Sequence, residues 1–251
     1  MKRVVRLRQS VKGWIFPPAC GACDAPLSSE RQIERPFLCE PCEATLKTIG
    51  EHYCSICGQS YESADTGAFR CANCGGRNLG IDFAVSAYRS AGVARDLMHR
   101  YKYRKQLHLS RLMGSLITAV WNDERLQSRD WIIVPVPLHP KRMRTRGFNQ
   151  SHEIAQELIR IGGGGTKMRL QPMLKRVRDT IRQARLDRKE RLENLHGAFE
   201  LIPGTNVEEE GISVLLVDDV MTTGTTVSEC ALVLRESLDI DVIAAASVMR
   251  G

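Results

Sequence analysis

From about Ile81 onward, short aliphatic runs alternate with longer stretches whose apolar residues recur at helical spacing. Trp131–Leu138 reads as a buried strand that ends in prolines. Val214–Val217 is almost purely aliphatic, and Val242–Val248 reads as a final strand. Arg169–Arg178 also carries a strand pattern. Ser86–Met113 is predicted to be mostly helical, as are Asn149–Ile161, which runs into the glycines at 162–165, and Thr225–Leu238. Strands that are apolar on both faces, alternating with helices, predict an α/β fold whose parallel sheet is covered on both sides.

The segment before Ile81 follows no such pattern. It holds few large apolar side chains but eight of the nine cysteines, in four CxxC pairs: Cys20/Cys23, Cys39/Cys42, Cys54/Cys57 and Cys71/Cys74. A CxxC turn converges two sulfurs on one ion, and two such turns complete a tetrahedron. The gaps within successive double pairs are 15 and 13 residues, close to zinc-ribbon spacing. Gly58 and Gly75 follow two of the knuckles, where a chain turning around a metal needs positive φ. Two Zn²⁺ ions with all-thiolate ligands and no open position are structural, and their binding energy becomes folding energy. Sequential pairing of the tetrads is the simplest topology, and a cross-braced one uses the same residues. The expected organisation is a basic amphipathic segment over 1–16, a double zinc-ribbon module over 17–80 and the α/β domain over 81–251.

Composition changes this picture little. Hydrophobic content of 43% and charged content of 26% suit a globular chain, and no run of 18 apolar residues exists. The basic first 16 residues interleave charge with apolar side chains, unlike a secretory signal, so a cytoplasmic protein with reduced cysteines is expected. The formal charge of +7 falls by four once two four-thiolate zinc sites are counted, which leaves local clusters as the better guide to anionic partners. One such cluster sets Arg95, His99, Arg100, Lys102, Arg104 and Lys105 around Tyr101 and Tyr103, cations and aromatic faces that suit single-stranded DNA. Cys230 stands alone and reads as a small core residue. His139 reads as structural, and His52 has no metal vacancy to fill.

The densest chemistry lies in VLLVDDVMTTGTT, from Val214 to Thr226. A buried strand delivers Asp218 and Asp219 at its carboxyl end, where ligands bind open α/β sheets. Thr222, Thr223, Gly224, Thr225 and Thr226 then open a helix, and glycine lets several N–H groups curl toward an anion. The loop suits a phosphate monoester, and the acid pair suits hydroxyl donors and hydrated Mg²⁺. The run resembles the phosphoribosyl pyrophosphate signature of type I phosphoribosyltransferases. That resemblance implies Asp218 and Asp219 on the ribose hydroxyls and Thr222 to Thr226 around the 5′-phosphate.

A second loop, VPVPLHPKRMRTRGFNQ from Val134 to Gln150, follows a strand with Lys141, Arg142, Arg144 and Arg146. Such cations suit a pyrophosphate leaving group. Arg146, beside Gly147, is the first choice, with Arg144 and Lys141 after it. The basic segment Asp179–Arg191 sits where a substrate-covering loop is expected, with Arg182, Gln183 and Arg188 as candidates.

Together, the four CxxC pairs, these two loops and the segment RDTIRQARLDRKERLENLHGAF make the chain similar to the ComF/GntX family, over about Phe16 to Met249. The departures are Met221 and an acidic turn at Glu208, Glu209 and Glu210. The resemblance implies a role in natural competence and DNA uptake, where incoming single-stranded DNA is handled. Two classes follow: a transferase using Mg²⁺ and phosphoribosyl pyrophosphate with an unread acceptor, and a non-catalytic single-stranded-DNA-binding protein on the same scaffold. The zinc module is a candidate hood over the site, and type I relatives often form homodimers.

Overall fold

The computed structural model describes residues 19–28, 37–61, 70–104, 106–162, 165–180, 195–205, 207 and 210–251. The expected segment 1–16 therefore lies outside the described residues. Among the described residues, a short helix, α1 (Glu40–Ala44), belongs to the cysteine-rich part. The body begins with β1 (Phe83–Arg89), α2 (Gly92–Tyr103), α3 (Ser110–Ile117) and α4 (Glu124–Gln127). It continues through β2 (Trp131–Pro135), α5 (Pro140–Arg146), α6 (Gln150–Ile161), β3 (Met168–Leu170), β4 (Leu174–Arg176) and β5 (Phe199–Leu201). It closes with β6 (Ile212–Met221), α7 (Thr225–Ser237) and β7 (Ile240–Arg250).

Five strands form one sheet in the order β1-β7-β6-β2-β3, and every neighbouring pair is parallel. The predicted α/β architecture is thus present. Its two faces follow the period of two along each strand. Leu215, Val217, Ala244 and Ala246 face one layer with Leu97, Met113 and Ile154. Val214, Leu216, Ile243 and Ala245 face the other with Val227, Ala231 and Leu234. Cys230 is fully buried in this second layer, as expected of a core cysteine. Strands buried on both faces need continuous apolar runs, and β2 and β6 supply them.

The cysteine-rich part covers the exposed edge of β1. The Ala84 N–H donates to Ile56 O at 2.7 Å, and the Arg89 N–H donates to Lys47 O at 2.7 Å. Thr48 bridges Tyr88 in antiparallel sense. These bonds occupy groups that an open edge would offer to other chains. Cys20 belongs to one core layer, while Cys54, Cys57, Cys71 and Cys74 belong to the other, so the two tetrads straddle the sheet. Gly58 makes this contact possible, because its φ is +66° and a Cβ there would lie 2.9 Å from Ala84 O.

Several expectations need correction. Ser86–Arg89 completes β1 instead of opening a helix, and the Ser86 and Ser247 hydroxyls meet at 2.7 Å inside the sheet. The span 169–178 holds two strands in different sheets, with Pro172 between them unable to donate to a ladder. The second loop contains α5, which starts on Pro140, is capped by the His139 side chain and ends on Gly147 at φ +86°. At the last knuckle the positive φ belongs to Gly76 (+70°), not Gly75.

Arg250 ties the layers together. It is 3% exposed, and its guanidinium donates to Cys57 O and Met221 O, both at 3.0 Å, and to Thr222 O. Arg250→Met removes the guanidinium from Cys57 O and Thr222 O, while Met221 O keeps the Gly251 N–H at 2.9 Å, so stability should fall by roughly 2–4 kcal/mol. Urea unfolding of zinc-replete protein checks this, and a loss below about 0.5 kcal/mol contradicts it.

Candidate functional site

Two cysteine tetrads are formed, Cys20/Cys23/Cys39/Cys42 and Cys54/Cys57/Cys71/Cys74, with the sulfurs of each within 4.8 Å of one another. The pairing is sequential, which decides between the two topologies the spacing allowed. The Cys23 and Cys39 sulfurs lie 3.7 Å apart, as do those of Cys57 and Cys71. A tetrahedron with metal–sulfur bonds of about 2.3 Å has sulfur–sulfur edges of about 3.8 Å, so both donor sets fit Zn²⁺. An ion held this way cross-links two turns and leaves no coordination position for chemistry.

At the carboxyl end of the sheet, a cavity of about 280 Å³ opens between β6, the second loop and α2. Asp218, Asp219, Thr222 and Thr226 line it. The Asp218 carboxylate accepts from the Ser151 hydroxyl at 3.0 Å and from the Asp219 N–H at 2.9 Å. Asp219 pairs with Lys102 Nζ at 2.7 Å, with both side chains mostly buried. Burial, and then the neighbouring Asp219 charge, push the Asp218 carboxyl up to about 6, with Lys102 and Ser151 opposing them.

A carboxyl whose folded pKa is raised gives its full stability below the unfolded value and loses it as pH climbs through the folded one. Ionised Asp218 therefore costs the empty protein stability at neutral pH. Asp218→Asn should raise stability by roughly 1–3 kcal/mol at pH 8, with the advantage shrinking toward pH 4. Paired thermal melts of both proteins across that range check this, because the thiolate titrations cancel in the difference. An advantage independent of pH would contradict the cause given for the shift.

The threonine loop stands beside the pair. Thr222, Gly224, Thr225 and Thr226 surround a small hollow that Asp218 also lines. Gly224, at φ +76°, is the N-cap of α7. The Thr223 and Thr225 hydroxyls lie 2.9 Å apart. Thr225 is buried, whereas Thr222 and Thr226 are half-buried.

The candidate cations divide. Arg146 lines the cavity, holds Gln150 Oε1 at 2.7 Å and lies over the Tyr103 ring at 5.5 Å. Lys141 lines an adjoining cavity of about 400 Å³ and pairs with Asp179 at 2.8 Å. Arg144 is exposed on α5 and lines neither of these cavities. Arg142 lines both and donates to Thr180 O at 2.7 Å. Arg176, not among the sequence candidates, is 7% exposed, lines the first cavity and bonds the Thr180 hydroxyl. Burial and then the charge of Arg142 bring its pKa down to about 10, which leaves it cationic at neutral pH. Lys102 and Ser151 were likewise missed as site residues. Asp179 and Thr180 border the second cavity. Arg182, Gln183 and Arg188, the expected lid candidates, lie outside the described residues, as do Lys105, Glu208 and Glu209.

The expected DNA platform on α2 is only partly available. Tyr101 is fully buried against Phe148, at 5.1 Å between ring centroids, and cannot stack on a base. Arg100 donates to Gly21 O at 2.7 Å and so braces the first tetrad, while Lys102 serves Asp219. Arg95, His99, Tyr103 and Arg104 remain exposed. Among the described residues, no helix is long and apolar enough to cross a membrane.

Comparison with known proteins finds relatives over most of the chain. The family described as "Double zinc ribbon domain" matches residues 11–75. Competence protein F of Haemophilus influenzae is 31% identical over 207 residues, which cover 81% of this chain and 86% of that protein. DNA utilization protein YhgH of Escherichia coli is 30% identical over 225 residues, covering 87% and 91%. Competence protein ComFC of Bacillus subtilis is 26% identical over 240 residues, covering 89% and 91%. Among solved structures, a hypoxanthine phosphoribosyltransferase from Staphylococcus aureus overlaps 59% of this chain and 64% of its own, at 14% identity and a TM-score of 0.29, too low to carry an argument. The tetrads, the sheet and the near full-length similarity lead to one statement of kinship: the chain belongs to the competence protein F family.

Proposed function

We propose that the carboxyl edge of the sheet binds phosphoribosyl pyrophosphate with Mg²⁺, and that the protein acts through this ligand in DNA uptake or DNA utilisation. One observation carries the reading: two strand-end carboxylates, a threonine loop at a helix N-terminus and the guanidinium groups of Arg142, Arg146 and Arg176 converge on a single cavity. Asp218 and Asp219 accept from the ribose hydroxyls. The amides and hydroxyls of Thr222, Thr223, Gly224, Thr225 and Thr226 hold the 5′-phosphate. The guanidinium groups take the pyrophosphate, with Lys141 at the mouth and Arg144 further out. Asp218 and Asp219 are the carboxylates that would face a phosphate-bound Mg²⁺, which would supply positive charge to the departing pyrophosphate. The division into a zinc module over 17–80 and a ligand-binding domain over 81–251 belongs to the same proposal.

Transfer, where an acceptor is present, forms an acceptor–C1 bond as the C1–oxygen bond to pyrophosphate breaks. Pyrophosphate leaves with the electron pair, and the acceptor's proton goes to solvent. Positioning and charge stabilisation suffice for such a step.

Arg176→Met tests the cavity assignment, because methionine keeps most of the buried volume and removes the charge. Affinity for Mg²⁺–phosphoribosyl pyrophosphate should fall about 10- to 100-fold, while ribose 5-phosphate affinity stays within about twofold. Equal losses for both ligands would place Arg176 outside the pyrophosphate site.

A second reading, single-stranded DNA binding without turnover, draws support from the relatives' names as competence and DNA utilization proteins and from exposed Tyr103 with Arg95 and Arg104. It requires affinity that falls linearly with salt on log–log axes. Binding indifferent to salt would remove it.

A further inference from the structure

Three consecutive carbonyls, from the last residue of β6 into the threonine loop, accept from side chains at the second tetrad, and the first also accepts from the Gly251 N–H at 2.9 Å. Arg250 donates to Met221 O at 3.0 Å and to Thr222 O, while the same guanidinium reaches Cys57 O at 3.0 Å and Cys57 Sγ at 3.4 Å. Asn73 lies inside the knuckle between Cys71 and Cys74, and its Nδ2 donates to Thr223 O at 3.1 Å. Arg77 donates to Asn73 Oδ1 at 3.2 Å, which commits the amide oxygen and turns the NH₂ toward the loop. The knuckle turn itself is closed by the Cys74 and Gly75 N–H groups on Cys71 O, both at 2.9 Å.

Peptide planarity gives these contacts a consequence for the loop. No peptide bond among the described residues is cis. In a trans peptide the C=O and the following N–H point in opposite directions. Anchoring the carbonyls of Met221, Thr222 and Thr223 on the ribbon turns the N–H groups of Thr222, Thr223 and Gly224 away from it. A loop left to itself would sample other peptide orientations, and an anion would have to order it at a cost in affinity.

We infer that the second ribbon is part of the phosphate site, with Asn73 and Arg250 acting as positioning residues that aim the loop amides at the 5′-phosphate. This rests on the phosphate-binding reading above. It gives the ribbon a role in ligand affinity besides its role in folding.

Asn73→Ala is the test, because Asn73 is half-buried and is not a zinc ligand. The full-length variant should keep two zinc ions per chain and the wild-type melting temperature within about 2 °C. Two readouts then separate positioning from general damage. Amide exchange in the peptide containing Thr222–Gly224 should accelerate, while exchange in β7 stays unchanged. By calorimetry, ribose 5-phosphate affinity should drop about five- to tenfold with inorganic pyrophosphate affinity unchanged. Wild-type exchange together with wild-type ribose 5-phosphate affinity in the variant would overturn the inference. If wild-type protein itself bound neither ribose 5-phosphate nor phosphoribosyl pyrophosphate, the phosphate reading would be the part that fails and the affinity role with it, whatever the exchange data gave.

Discussion

Complete removal of zinc is expected to unfold the cysteine-rich part and to expose the β1 edge of the sheet. The buried apolar side chains of the second ribbon are few, and its four cysteines are themselves core residues at 0–2% exposure. Without metal, the eight thiols converge with nothing to join them. Structural zinc in small modules contributes on the order of 10–16 kcal/mol of apparent binding energy per site, comparable to a whole domain's usual stability. The effect should reach beyond the ribbons, because Ile56 O and Lys47 O cap strand β1 and Arg250 bonds Cys57. A strong chelator should therefore release two zinc ions per chain, with proteolytic cleavage appearing first between residues 37 and 80. Sequential pairing adds a sharper outcome. Cys23→Ser should lose one ion and keep the other, since no ligand is shared between the tetrads. Full protection of the region after both ions leave would refute the structural role.

The second large effect concerns the carboxylate pair. Asp218→Asn combined with Asp219→Asn should weaken Mg²⁺–phosphoribosyl pyrophosphate binding by roughly 10²- to 10⁴-fold. Each carboxylate is proposed to accept a charge-assisted bond from a ribose hydroxyl, at about 1.5–3 kcal/mol apiece. Both are also proposed to face the Mg²⁺ that accompanies the phosphates. The double variant should still fold. Asp218 is held ionised at a cost, and the Ser151 hydroxyl can bond an amide as well as a carboxylate. Asp219→Asn keeps an amide oxygen that can still accept from Lys102 Nζ, so the mostly buried ammonium is not left without an acceptor. Function lost while the fold is kept is the pattern expected of a strained functional pair.

The sequence revealed most where the chemistry is contiguous. Thirteen residues carry the strand, both acids and the loop, so Asp218, Asp219 and the threonines stand out as candidates without knowledge of the fold. The cysteine spacing was equally informative, because a CxxC turn is a local geometry. What it hid depends on distant partners. Lys102 reaches Asp219 only because α2 crosses the carboxyl edge of the sheet, and its sequence neighbours suggested a DNA-binding face instead. Tyr101 and Tyr103 sit two apart on one helix, which points one inward to Phe148 and leaves the other exposed. Arg176 occupies a three-residue strand whose partner comes from beyond the segment 181–194, so its inward orientation had no local signature. Ser86–Arg89 carries no strand signal of its own, because its pairing with β7 joins residues about 160 apart, beyond the reach of periodicity.

Titration calorimetry of phosphoribosyl pyrophosphate, with and without Mg²⁺, on zinc-replete wild type and on the Asp218→Asn/Asp219→Asn variant tests the central claim most directly. The account predicts Mg²⁺-dependent binding by wild type, its loss in the variant, and matching circular dichroism spectra for the two proteins. No binding by folded wild type, or equal binding by both, would contradict the ligand site and leave DNA handling as the function to pursue.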